Sequence, residues 1–237
     1  MCFKTCDYDA MNNTTLTHDD CLALLRAERR QDRTIAERFV TACRDGSVSD
    51  LQEAAAALDG ESANGWVIAL RKIVKMRLSV TPEIQQEFFR LWVENKSIRL
   101  SVGDDLMLIS ALRLLCPPYE GKAARLFRGA LADERRRRLY GLSWTTSIDI
   151  AERFAERTPD LYERIVIETH APAEAIIAKV DYPEPLTPAE VQEINRDHPG
   201  VIINQYHKES EYLLDRRRLM SVKVVRRYPA ASATLDT

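Results

Sequence analysis

Several things are scarce in these 237 residues, and each scarcity removes a class of explanation. Cysteine occurs five times, at 2, 6, 21, 43 and 116, with none later and no Cys-x-x-Cys. Neither a disulfide framework nor a zinc site is therefore expected. The four histidines (His18, His170, His198, His207) are scattered without metal-ligand spacing, and no metal is expected. Eight glycines and 7% aromatics are unlike collagen or low-complexity sequence. No apolar run approaches the ~20 residues of a membrane helix, so no membrane association is expected. The first eleven residues lack the basic-then-apolar order of a secretory signal, which makes a cytoplasmic location the expectation. Charge of one sign is missing as well. The net charge is −2, too little for a global pull toward nucleic acid. No internal repeat is visible.

What is present is 45% apolar and 30% charged residues, enough for one large or two small domains with a self-sufficient core. The first half reads as helices. His18 to Arg30 carries Leu22, Leu24 and Leu25 behind Thr17-His18-Asp19-Asp20, and Ile35 to Cys43 follows with Phe39 and Val40 inward. Ser49-Asp50-Leu51-Gln52 has capping-box spacing before an Ala-rich helix that Gly60 should end. From Trp66 to Leu78, Trp66, Ala69, Leu70, Ile73 and Val74 share one helical face. Thr81-Pro82 supplies a cap and a first-turn proline before Ile84 to Val93. Ser101 to Cys116 closes the set with Leu108, Ile109, Leu112 and Leu115 inward.

At Pro117-Pro118 the texture changes, because proline cannot continue a helix and restrains the residue before it. Short β-type runs follow: Arg125 to Arg128, Tyr140 to Thr145, Arg164 to Thr169, Ala175 to Val180, Glu211 to Leu214 and Ser221 to Arg227. Helices are expected over Ile148 to Arg157, capped by Ser147, and over Ala189 to Asp197, behind Thr187-Pro188. Strands outnumber crossover helices, so a doubly wound parallel sheet is disfavoured. The expected class is α+β: a helical N-terminal domain over 1–117, a mixed, largely antiparallel sheet domain over 118–230, and a frayed tail over 231–237. Residues 1–117 hold 15 basic and 17 acidic residues, and the remainder holds 19 of each. The halves differ in clustering instead, with Arg135–Arg138 and Arg216–Arg218 standing out. Such runs read as solvated loops or as local phosphate-binding surfaces, and no aromatics interleave them for base stacking.

Three features of the second half invite a chemical reading. Arg128 ends an apolar strand and Gly129 follows it. A guanidinium binds phosphate bidentately, and glycine permits close approach to the backbone. Thr145, Thr146 and Ser147 run from a strand straight into a helix, offering both a cap and hydroxyls at a strand end. Glu209 and Glu211, two residues apart, share one face of a strand. Paired acids are costly unless a cation or a task accompanies them. Alone, each also reads as a surface arginine, a capping motif and a solvated strand start.

Their order is more specific. Leu-Phe-Arg128-Gly129, then Trp144-Thr145-Thr146-Ser147-Ile148 with Ala151-Glu152-Arg153-Phe154-Ala155, then Glu209-Ser210-Glu211-Tyr212-Leu213-Leu214 resembles the ADP-ribosyltransferase superfamily in its arginine–serine–glutamate class. The likeness spans residues 120–228. It implies a split, two-sheet α+β core with NAD, as substrate, in a cleft, and no metal. Arg128 matches the arginine on the NAD phosphates, and Gly129 the backbone position facing the nicotinamide amide. Thr145-Thr146-Ser147 matches a Ser-Thr-Ser triplet, with threonine replacing the first serine; a register using Ser143 is the alternative. Glu211 matches the catalytic glutamate. Glu209 matches the first acid of Glu-x-Glu, on the loop that receives the acceptor, here drawn from Tyr182 to Lys208 with Tyr206 as its aromatic. The implied activity is mono-ADP-ribosyl transfer to a macromolecule, a protein arginine or a nucleic-acid base (RNA or DNA). Compact members of the class are often toxins or phage-encoded and anti-phage effectors, which makes a neutralising antitoxin a candidate partner. The same residues would serve an NAD glycohydrolase, and a non-catalytic binding module on this fold is the third reading.

Overall fold

The structure, a computed structural model, describes residues 17–95, 97–157, 161–180 and 211–230. The expected helix over 189–197, the acceptor loop over 182–208, Glu209 and the tail over 231–237 lie outside them. The helical half opens with α1, His18–Asp45, where Thr17 and Asp20 form a reciprocal capping box and Gly46, at φ 73°, ends the helix in the left-handed region. The two helices read from the sequence are thus one, because no glycine or proline interrupts Arg30 to Ile35. Asp32, in the supposed gap, is 4% exposed. It accepts from Ser62 Oγ at 2.6 Å and from the Ala63 amide at 3.2 Å, fixing the turn before α3.

Helix α2, Val48–Gly60, starts two residues earlier than expected, since its cap is Ser47, whose oxygen accepts from the Asp50 amide. Helices α3, Gly65–Met76, and α4, Pro82–Glu94, follow, the latter capped by Thr81. Where the sequence suggests one helix from Ser101, there are two: α5, Ser97–Val102, and α6, Asp105–Leu115. Gly103 at φ 63° breaks the chain between them, and Asp104 caps α6 by accepting from the Leu106 and Met107 amides. Phe39, Leu51, Trp66, Leu70, Ile73, Ile84, Phe88, Leu108, Ile109 and Leu112 fill this half's core at 0–2% exposure. Phe39 is the hub, edge-on to both Trp66 (5.1 Å) and Phe88 (6.4 Å). Leu24 and Leu25, by contrast, are about half exposed.

The second half is a six-stranded antiparallel sheet, so the protein is α+β. Its strands are β1, Ala124–Leu131; β2, Ser143–Thr145; β3, Arg164–Ala171; β4, Ile176–Val180; β5, Glu211–Leu214; and β6, Lys223–Tyr228. They lie in the order β4-β5-β2-β1-β3-β6. Two helices join the set: α7, Ala132–Arg136, after β1, and α8, Ile148–Glu156, after β2. Strands β1 and β3 pair over eight positions, Ala124 with Ala171 through Leu131 with Arg164. The two faces differ in their cover. On one, α8 lays Ala151 and Ala155 against Phe127 and Val166, while Ala178, Val180 and Leu213 join the core of the helical half. On the other, Leu126, Ala130, Trp144, Ile165, Ile167, Tyr212 and Leu214 form a separate apolar cluster. Among the described residues no helix is long and apolar enough to cross a membrane.

Candidate functional site

Strands β1, β2 and β5 are neighbours, and each carries one of the residues singled out in the sequence. Phe127 pairs with Thr145, and Thr145 pairs with Glu211. Directly opposed residues of an antiparallel sheet project from the same face. The Thr145 hydroxyl and the Glu211 carboxylate therefore stand side by side. They occupy the stretch of that face between α8, over Phe127, and the helical half, over Val180, which pairs with Glu211 from the other side. Thr145 is 5% exposed and Glu211 partly buried.

Arg128 is one residue beyond Phe127, and strand alternation turns it to the opposite face, among Leu126, Ala130 and Trp144. Its guanidinium extends along β2, where Nη1 donates to the Ser143 carbonyl at 2.8 Å. Nε is enclosed without a hydrogen-bond partner. Burial pushes this guanidinium below its ordinary value; Glu134, Asp105 and Glu211 act against that and Arg99 adds to it. Glu211 thus acts on Arg128 through its field, with no hydrogen bond between the two.

The hydroxyl triplet divides its labour. Thr145 Oγ1 accepts from the Ser147 amide at 3.1 Å, closing a short turn, and Ser147 Oγ accepts from the Ile150 amide as the cap of α8. Thr146 between them is exposed. Gly129 backs onto α8: a Cβ there would come within 2.5 Å of the Ala155 nitrogen and closer still to the Ala151 carbonyl oxygen. Its lack of a side chain is what allows helix and strand to meet.

The arginine runs resolve differently from each other. Arg136 and Arg137 pair with Asp133 on α7 and are exposed. Arg216–Arg218 form a 3-10 turn after β5 whose charges are largely neutralised. Its centre is Asp215, 1% exposed, a residue the sequence reading passed over. Asp215 accepts from Arg217 Nε (2.8 Å) and Nη2 (2.9 Å), from the Arg217 amide (3.1 Å) and from Arg113 Nε of α6 (3.0 Å). Burial alone would push the Asp215 carboxyl up, but these donors outweigh it and hold the group below the ordinary aspartate value. Arg216 Nη1 meanwhile joins Asp105 of α6 (3.4 Å) to the Tyr140 carbonyl (3.3 Å). The strand bearing Glu211 is thereby tied at its far end to the helical half. Partners 102 residues apart leave no local pattern in a sequence; the only available signal is an aspartate directly after an apolar strand and before three arginines. No family model, curated protein or solved structure matches this chain.

Proposed function

We propose that this protein is a mono-ADP-ribosyltransferase that moves ADP-ribose from NAD to a macromolecular acceptor. The observation that carries the reading is the cross-strand pairing of Thr145 with Glu211, next to the strand that holds the partly buried Arg128. The arginine, hydroxyl and glutamate of the resemblance thus come from three adjacent strands.

The chemistry suits those groups. The bond from the ribose C1′ to the nicotinamide nitrogen breaks, and both electrons leave with the ring, which departs neutral. Positive charge builds on the ribose, and the Glu211 carboxylate stabilises it in the transition state more than in the ground state. The logic is that of glycoside cleavage, where a carboxylate supports a similar cation. The neutral leaving group needs no acid. A lone pair of the acceptor then closes on C1′, and its proton passes to a base, the role assigned to Glu209. Arg128 braces β2 through the Ser143 carbonyl and, from the opposite face of the sheet, acts on the site through its field.

A second reading, a non-catalytic binding module, is favoured by one observation: Arg128 and Glu211 project from opposite faces of the sheet. Incubation of a cell lysate with adenine-labelled NAD separates the readings. Label should enter a macromolecular fraction and be removed by either protease or nuclease, which identifies the acceptor class. Free ADP-ribose alone would indicate a glycohydrolase, and intact NAD throughout would leave the binding module.

A further inference from the structure

Gly141 lies two residues before β2, is buried, and offers its carbonyl to Trp144 Nε1 at 3.0 Å. Its backbone φ is not in the left-handed region, so turn geometry does not demand glycine. Space does. A Cβ at 141 would lie 2.7 Å from Arg128 Cζ, 3.1 Å from Nη1 and closer still to Nη2. The guanidinium packs against the glycine while its Nη1 donates to the Ser143 carbonyl just beyond this turn.

We infer that Gly141 is a positioning residue for Arg128: the missing side chain is the slot that sets the guanidinium against β2. The inference bears on the arginine of the proposed NAD site and, for its catalytic consequence, rests on that reading. The nature of the clash makes the role separable from folding. At Gly129 a new Cβ meets helix backbone, which cannot yield locally. At Gly141 it meets the far end of a long side chain, which can swing away. Alanine at 141 therefore displaces Arg128 rather than the sheet. Gly60, where a Cβ meets nothing within 4 Å, is the matched control.

The test uses Gly141→Ala, Gly60→Ala, Arg128→Ala and the double variant Arg128→Ala/Gly141→Ala. Phenylglyoxal, an arginine-selective reagent, reads the pose of Arg128 by peptide mass spectrometry without any need for NAD. Arg128 should be protected in the parent and in Gly60→Ala, and modified about tenfold faster in Gly141→Ala, the change expected when one hydrogen bond to a charged group is lost. The KM for NAD should rise by about the same factor, with kcat changed less. Unaltered protection of Arg128 in a folded Gly141→Ala protein would overturn the inference. Should Gly141→Ala fail to fold, the double variant decides: folding restored to the level of Arg128→Ala supports the contact, and a double variant that is still unfolded refutes it. Altered protection in a protein that never consumes NAD would uphold the role of Gly141 while removing the NAD reading.

Discussion

Replacing Asp215 with asparagine should cost stability out of proportion to a one-atom change. The carboxylate is 1% exposed and takes four hydrogen bonds, three from Arg113 and Arg217 side chains and one from a backbone amide. Asparagine keeps one acceptor oxygen but turns an NH2 donor toward arginine donors and removes the charge that balances them. Hydrogen bonds to charged groups contribute ~1.5–3 kcal/mol each, and breaking a fully buried pair costs ~3–5 kcal/mol. Arg113 and Arg217 have side chains 26% and 45% exposed, so water recovers part of the loss, and about 2–4 kcal/mol remains. In a chain of this size that lowers the thermal midpoint by about 5–15 °C. Urea denaturation of parent and variant, with equal slopes, gives the free energy directly.

The same substitution has a signature in pH. Because the folded Asp215 carboxyl sits below its ordinary value, the native state binds this proton less readily than the unfolded chain. Its contribution is complete above the unfolded aspartate value of ~3.9 and is lost as pH falls through the lower folded value. The gap between parent and Asp215→Asn should be full at neutral pH and shrink below about pH 4. A gap under ~1 kcal/mol at pH 7, the scale of an ordinary exposed ion pair, would refute the reasoning.

Other outcomes follow from the same geometry. Gly129→Ala drives a methyl into the backbone of α8 and should destabilise by ~1–3 kcal/mol, as overpacking does; calorimetry reads it, and a neutral result would show that the strand and helix are not in close contact. Ser147→Ala removes the cap of α8 and should cost ~1 kcal/mol in urea denaturation. Ser147→Asp, which retains an acceptor at the cap, should recover most of it.

How much of this was legible in the sequence depended on how local each determinant was. Thr17, Thr81 and Ser147 all cap the helices assigned to them, because a cap is decided by residues three positions apart. The break at Gly103 is marked only by the glycine and by Asp104-Asp105, which interrupt the apolar spacing before Leu108; the glycine's left-handed backbone ends α5 and Asp104 caps α6. Ser47 rather than Ser49 caps α2: it follows directly on Gly46, which closes α1, and its oxygen accepts from the Asp50 amide. The antiparallel sheet followed from counting strands against crossover helices. The pairing of Thr145 with Glu211 did not, since register across 66 residues has no local mark. The turn of Arg128 to the other face is implicit in its being one residue from Phe127, but only once Phe127 is known to face α8. Asp215 and Gly141 were silent because their partners are distant in the chain or are met only by an atom that is not there.

The most direct test of the central claim is nicotinamide release from NAD by the purified protein, compared with Glu211→Gln, which keeps shape and hydrogen bonding but removes the charge. The account predicts measurable release by the parent and a loss of at least about a hundredfold in the variant, the scale of a removed electrostatic stabiliser. Equal release by the two proteins, or none from the parent, would contradict it.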